Sequence, residues 1–327
     1  MSIRIAAMPD TPPALSISRR NGPRTVLLHG MVMAPSFWQT YAPPVSRTGT
    51  AIAYPLPGHH PWTLGASAGA QSMNSILDAY ADAITRDFKG HPVTLIGHST
   101  GAFMALGLAA RHPALVNGLV IMGALSCGGL DGCQPFAMRL LRLRGFGQWG
   151  FERLLSLWIS TPARFIEGAR TCVAQAGAPR EPRDVEAIER VRQSLLKSDP
   201  AEIAALVRLL SQASLSDALP EITCPALNIV GGMDRVIRPR HQFGIQAALP
   251  AVTTLLLPTA GHLPMVEKPG AVAVAVHAFM RQHGLLHKRG MAGTRAPAGS
   301  QEQLHPAYAK PRDVAAPGSG EFAMTAG

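Results

Sequence analysis

"TLIGHSTGAFMA", Thr94 to Ala105, decides how this chain is read. Val93 to Ile96 is a short apolar and β-branched run that meets Gly97-His98-Ser99-Thr100-Gly101, and an alanine-rich helical pattern begins at once. A serine between two glycines at a strand-to-helix joint admits two readings. One is a plain turn; the other is a turn so sharp that it forces the serine into unfavourable backbone angles and presents its hydroxyl. The second needs small flanking residues so that neighbouring segments can pass close by. Gly97, Gly101, Ala102 and Ala105 supply them.

A nucleophilic serine also needs a base to take its proton, a carboxylate to hold that base, and N–H donors for an oxyanion. The base is expected beyond the last strand, where a loop can return over the serine. Thr253 to Leu257 reads as that strand, and Pro258-Thr259-Ala260-Gly261-His262 follows it, which selects His262 from twelve histidines. The carboxylate is expected beyond the preceding strand, Ala226 to Val230, where Gly231-Gly232-Met233-Asp234 brings in Asp234. Asp131 is a rival acid after the strand ending at Met122, and a loop aspartate is commonly a turn former. The chain order Ser, Asp, His favours Asp234. For the oxyanion, Thr100 offers the amide that follows the serine. Val26-Leu27-Leu28-His29-Gly30-Met31 ends another strand with His-Gly, so Met31 offers a second amide unless that dipeptide is only a tight turn.

Short apolar runs alternate with helical patterns over most of the chain, which predicts an α/β fold: a mostly parallel central sheet flanked by helices. Strands are expected at Thr25 to Leu28, Ala51 to Tyr54, Val93 to Ile96, Leu119 to Met122, Ala226 to Val230 and Thr253 to Leu257, with Leu15 to Ser18 as an antiparallel edge. Ile76, Leu77, Tyr80, Ala83 and Ile84 keep the spacing of an amphipathic helix, as do Val272, Val276, Phe279 and Met280. From Gly128 to Ser216 helical patterns recur without a strand, so residues 128–216 are expected to be an all-helical insertion between core segments 1–127 and 217–286. Within it Asp199-Pro200-Ala201-Glu202 has the cap, first-turn proline and third-position acid of a helix start. Residues 287–327 turn to Gly, Ala, Pro, Ser and Thr without an apolar period, a composition that predicts a disordered tail outside the catalytic unit.

"LLHGMVMAPSFW", "YPLPGHH", "LIGHSTGA", "NIVGGMDRVIRP" and "PTAGHLPMVEKP" resemble, in order, the signature segments of the α/β-hydrolase fold superfamily. The resemblance spans about residues 14 to 283, and the helical insertion is similar to that family's cap domain. It implies Ser99 as nucleophile, His262 as general base, Asp234 as orienting acid, and Met31 and Thr100 as the oxyanion hole of a serine hydrolase acting on an ester-type carbonyl. His29, Gly30, His98, Trp149 and Trp158 are the expected substrate-binding residues. One segment departs from the family pattern: Pro57-Gly58-His59-His60 stands where Pro-Gly-His-Gly is common, a change in a loop near the site. A serine at position 99 speaks against the epoxide hydrolases and dehalogenases of the superfamily, which use aspartate, and against its polyester synthases, which use cysteine. Thioesterase, acyltransferase or carbon–carbon bond hydrolase activity on the same triad, and a non-catalytic ligand receptor, remain as alternatives.

No metal or organic cofactor is called for. Phe146, Trp149, Phe151, Trp158 and Phe165 suggest an apolar small-molecule acyl substrate if they line a pocket, and helix core if they do not. The 327 residues are 47% hydrophobic and 15% charged, which fits a globular chain with an ample core. The net charge of +10 is dispersed, as solvated faces are, and argues against a nucleic-acid partner. Arg139, Arg142 and Arg144 are the one basic cluster, either solvated or facing an anionic substrate end. The chain shows no signal-peptide pattern and no run of membrane-spanning length, and Cys127, Cys133, Cys172 and Cys224 have no metal-site spacing. A cytoplasmic protein with free thiols is expected, and its oligomeric state is not legible.

Overall fold

The computed structural model describes residues 11–65, 71–128, 140–141, 143, 146–175 and 181–286. Asp131, Cys133, the arginines at 139, 142 and 144 and the expected tail lie outside the described residues. The apolar runs form seven strands: β1 (Leu15–Arg19), β2 (Arg24–Leu28), β3 (Thr50–Tyr54), β4 (Val93–His98), β5 (Val116–Met122), β6 (Ala226–Gly231) and β7 (Val252–Leu257). They lie in the order β1-β3-β2-β4-β5-β6-β7. β1 runs antiparallel to β3 at one edge, and every other pairing is parallel.

The central strands are apolar on both sides because both sides are covered. Alternate residues divide between two layers. Val26, Leu28, Leu95, Leu119 and Ile121 face one core with Phe103 and Ile84. Leu27, Ile96, Val120, Met122 and Ile229 face the other with Trp38, Val276 and Met280. The first layer receives α2 (Met73–Phe88) and α3 (Thr100–Arg111); the second receives the short α1 (Trp38–Tyr41) and the late helix α10 (Pro269–Gln282). Helix α2 starts at a Ser72–Ser75 capping box and stops at Lys89, which adopts the left-handed conformation at φ 55°. The fully buried tyrosines Tyr54 and Tyr80 find partners for their hydroxyls, whereas the Trp38 and Trp62 indole nitrogens have none among the described residues. The Tyr80 hydroxyl donates to the Pro55 carbonyl at 2.7 Å, while the Trp62 ring meets the Tyr80 ring edge-on at 5.2 Å.

Between β5 and β6 the chain forms α4 (Gly147–Ile159), α5 (Pro162–Ala169), α6 (Pro182–Leu195) and α7 (Pro200–Gln212). The two ends of this connection meet in an antiparallel bridge, Cys127 to Ser214, with Leu215 N–H donating to Ser126 at 2.8 Å. Helix α7 begins as expected, with Asp199 accepting the Ala201 N–H at 2.8 Å behind Pro200. Glu202 departs from its expected capping role. Its carboxylate accepts the Leu64 and Gly65 N–H groups, each at 2.7 Å, and so pins the helix start to the loop after β3. A tertiary bond between a charged acceptor and two backbone donors has displaced the local one. After β6 come α8 (Pro239–Ala248) and, after β7, α9 (Pro264–Glu267). No described helix is long and apolar enough to cross a membrane.

Candidate active site

All the parallel strands end on the same side, so their following loops converge over the carboxyl edge of the sheet. Strand β4 passes into helix α3 at Ser99, which sits at φ 52° and ψ −118°. A serine in that conformation is strained and persists because its surroundings hold it there. Its N–H donates to Met122 O at 2.9 Å, at the end of β5. The flanking glycines are required by contact. A Cβ at Gly97 would lie 2.6 Å from the Ala102 Cα, and one at Gly101 would lie 2.6 Å from the His29 carbonyl oxygen. The elbow is therefore wedged between its own helix and the end of β2.

Asp234 and His262 meet in the loops after β6 and β7, with Asp234 Oδ2 2.8 Å from His262 Nδ1. Both residues are buried. Asp234 takes three further donors: the Val236 and Ile237 amides on Oδ1 at 2.8 and 2.9 Å, and Gln242 Nε2 on Oδ2 at 2.9 Å. A carboxylate only accepts, so the proton between the pair is on His262 Nδ1. The two loops are tied by Met233 N–H donating to Ala260 O at 2.8 Å.

Two contacts bring this pair to the elbow. Gly123, at φ 55°, follows the strand whose end holds the Ser99 amide, and a Cβ there would lie 2.9 Å from His262 Nδ1. His98, the residue before the serine, donates its Nε2–H to the His262 carbonyl at 2.8 Å, with ring centroids 4.7 Å apart. His98 Nδ1 is buried without a partner among the described residues. Burial, then the neighbouring His262, holds the His98 imidazole well below the ordinary histidine range. It is a neutral donor.

The chain after β2 carries the other expected parts. Met31 precedes Val32, a β-branched residue at φ 55°, an unfavourable conformation. Val32 N–H donates to His59 Nε2 at 3.1 Å, and His59 Nδ1–H in turn donates to Pro57 O at 3.1 Å. His29 repeats the arrangement, accepting the Leu56 N–H on Nε2 at 3.1 Å and donating from Nδ1 to Gly30 O at 2.8 Å. Burial lowers both rings, His29 to about 3 and His59 to about 4, so both are neutral. The Thr100 N–H stands in the first turn of α3, where helical amides have no intrahelical acceptor. Neither it nor the Met31 N–H meets an acceptor among the described residues.

The sequence model of the alpha/beta hydrolase family matches residues 25–276. The chain belongs to that family. Among curated proteins, this hydrolase is 26% identical over 267 residues to the pimeloyl-[acyl-carrier protein] methyl ester esterase of Aromatoleum aromaticum, covering 80% of this chain and 99% of that one. It is 26% identical over 254 residues to the protein of the same name from Nitrosomonas europaea, covering 76% and 92%. Among solved structures it is similar in fold to a putative aryl esterase from Burkholderia cenocepacia, with a TM-score of 0.66, 17% identity and coverage of 84% and 97%. A thermophilic esterase from Thermogutta terrifontis superposes with a TM-score of 0.63 at 21% identity, covering 83% and 93%.

The expected substrate-binding residues of this hydrolase divide. Gly30 lies against His98, where a Cβ would approach Nδ1 to 2.9 Å. His29 is fully buried with both ring nitrogens on backbone groups, so it holds the β2 loop together and has no free atom for a substrate. His98 faces the His262 loop instead. Trp149 is 63% exposed beneath the Arg153 guanidinium, 5.9 Å from its ring, and Phe146 is exposed as well. Trp158 is half-buried and donates to the Phe165 carbonyl at 3.2 Å, while Phe151 and Phe165 are core. Aromatic spacing on these helices therefore reports mainly helix packing. Sequence reasoning missed His59, Gly123, Gln242 and Glu267. Only His59 carried a signal, through its place in the "YPLPGHH" segment.

Proposed function

We propose that this hydrolase cleaves carboxylic esters through a Ser99–His262–Asp234 triad, with the Met31 and Thr100 amides as the oxyanion hole. The observation that carries the reading is the Asp234–His262 hydrogen bond docked by His98 and Gly123 beside a strained serine. Ser99 Oγ attacks the ester carbonyl carbon as its proton passes to His262 Nε2, and the negative charge moves to the carbonyl oxygen between the two amides. Collapse of the tetrahedral adduct breaks the bond to the leaving oxygen, which takes the proton from His262. Water, activated by the same ring, then releases the acid and restores Ser99. In this reading helices α4 to α7 cap the site. The relatives' name supports an ester borne on an acyl chain, so a carrier-linked acyl methyl ester belongs beside simple esters in the first substrate panel.

A fluorophosphonate probe with peptide mass spectrometry tests the triad without knowledge of the substrate. Labelling at Ser99 that disappears in His262→Ala is the expected result. A folded protein that is not labelled, or is labelled elsewhere, would favour the receptor alternative.

A further inference from the structure

A carboxylate outside the triad joins the base loop to the cap. Glu267 closes the short helix that follows His262, its own amide donating to Leu263 O at 3.0 Å. Its Oε1 accepts the Gly261 N–H at 2.8 Å, and its Oε2 accepts the Ala174 N–H at 2.8 Å. Gly261 immediately precedes the base, whereas Ala174 lies in the cap segment after α5. A third bond runs beside these two, from His262 N–H to Cys172 O at 2.8 Å. The approach is close enough to forbid a side chain: a Cβ at Gly261 would lie 2.6 Å from the Ala174 nitrogen. The Cys172 thiol is pushed up by burial, against a lowering contact with Thr171, and the Asp234 and Glu267 carboxylates add to the rise.

We infer that Glu267 is a positioning residue whose carboxylate clamps cap segment Cys172–Ala174 to the loop carrying His262, so that the base is in register only while this part of the cap is seated. The inference rests on the hydrolase reading above. Gly261 and Ala174 both lie outside helix and strand, so among the described residues these bonds and van der Waals contact hold the two segments together. Two amides converge on one charged acceptor, an arrangement stronger than its neutral counterpart. Without it, Gly261 and Ala174 lose their acceptor, and His262 keeps its contact with Asp234 while its main chain is free to shift. Lifting the cap on this side requires breaking the same bonds, which couples opening of the site to disarming of the base.

Glu267→Gln is the decisive variant, because it is isosteric and its single carbonyl oxygen can retain only one of the two bonds. In the full chain, with a p-nitrophenyl ester, kcat is expected to fall about tenfold with KM within about twofold, the pattern of a displaced catalytic group rather than a lost binding contact. The rate of fluorophosphonate labelling at Ser99 should fall in parallel, amide hydrogen exchange at Gly261 and Ala174 should quicken, and Glu267→Ala should go further in each. A Gln variant with wild-type kcat and labelling rate would overturn the inference, as would a lowered melting temperature with unchanged kcat. Failure of the triad reading looks different: the wild-type protein itself would not be labelled at Ser99.

Discussion

His98 donates its Nε2–H to the main-chain oxygen of His262, so the residue preceding the strained serine holds the backbone of the residue proposed as its base. The elbow and the His262 loop come from segments 164 positions apart in the chain, yet a buried bond joins them. His98→Phe keeps the ring volume and removes the donor. It is expected to lower kcat by about tenfold while KM changes little, since a small misplacement of a catalytic group is costly. Steady-state kinetics with p-nitrophenyl butyrate, alongside a melting curve, checks this; an unchanged kcat would show that the bond serves stability alone.

Asp234→Asn preserves shape but places an amide donor among four groups that all donate to the native carboxylate. Whichever way the amide turns, it faces N–H groups and favours the wrong His262 tautomer. A loss in kcat on the order of 10³- to 10⁴-fold is expected, by analogy with the orienting acid of other Ser-His-Asp enzymes. Titrating activity against pH in the variant would reveal any role less than this.

Gly101→Ala is expected to fail structurally rather than catalytically. Its Cβ would lie 2.5 Å from the Leu28 carbonyl carbon, and neither backbone can retreat without moving β2 or α3. A loss of about 3 kcal/mol or more is expected, at or above the upper end of what overpacking usually costs. Urea unfolding of the variant measures it directly. Gly244→Ala, on α8 with open space around its Cα, serves as the matched control.

The neutral histidines predict how stability depends on pH. His29 and His59 are lowered to about 3 and about 4, below the 6.5 of an unfolded histidine. Below pH 6.5 the unfolded chain therefore binds protons that the folded chain refuses. The stability these rings contribute is complete above pH 6.5 and is lost as the pH falls towards 4. Each ring contributes a slope of up to about 1.4 kcal/mol per pH unit in that window. Chemical denaturation at pH 7 and pH 5 reads the slope, and His59→Gln should flatten it by about one proton's worth.

Much of this was legible in the residues themselves. The parallel strands stand out because Gly, His or Pro stops each apolar run at the carboxyl edge. The one clear shortfall, β5 starting at Val116 rather than Leu119, arises because Asn117 and Gly118 interrupt the run that the ladder to β4 continues through. Ser99, Asp234 and His262 could be singled out as candidates because each lies a few residues beyond a recognisable strand. His59, Gln242 and Glu267 were not, because each meets a partner far away in sequence or without any periodic pattern. Glu202 shows the same limit from the other side, since a local helix-start rule was overruled by amides 137 and 138 residues distant.

The Cys127–Ser214 bridge has a consequence for how such a protein changes over time. The connection between β5 and β6 leaves the sheet and returns to it at neighbouring points, so it amounts to a cassette that can be replaced without lengthening or shortening any strand. An exchange of this kind would leave the strands and the loops carrying Ser99, Asp234 and His262 unchanged in sequence. An incoming segment would need an acid in place of Glu202 and an amide in place of Ala174, and also counterparts of the Tyr41–Asp184, Arg190–Thr40 and His60–Ser198 hydrogen bonds, so compatibility along this seam rather than overall likeness would govern which grafts work.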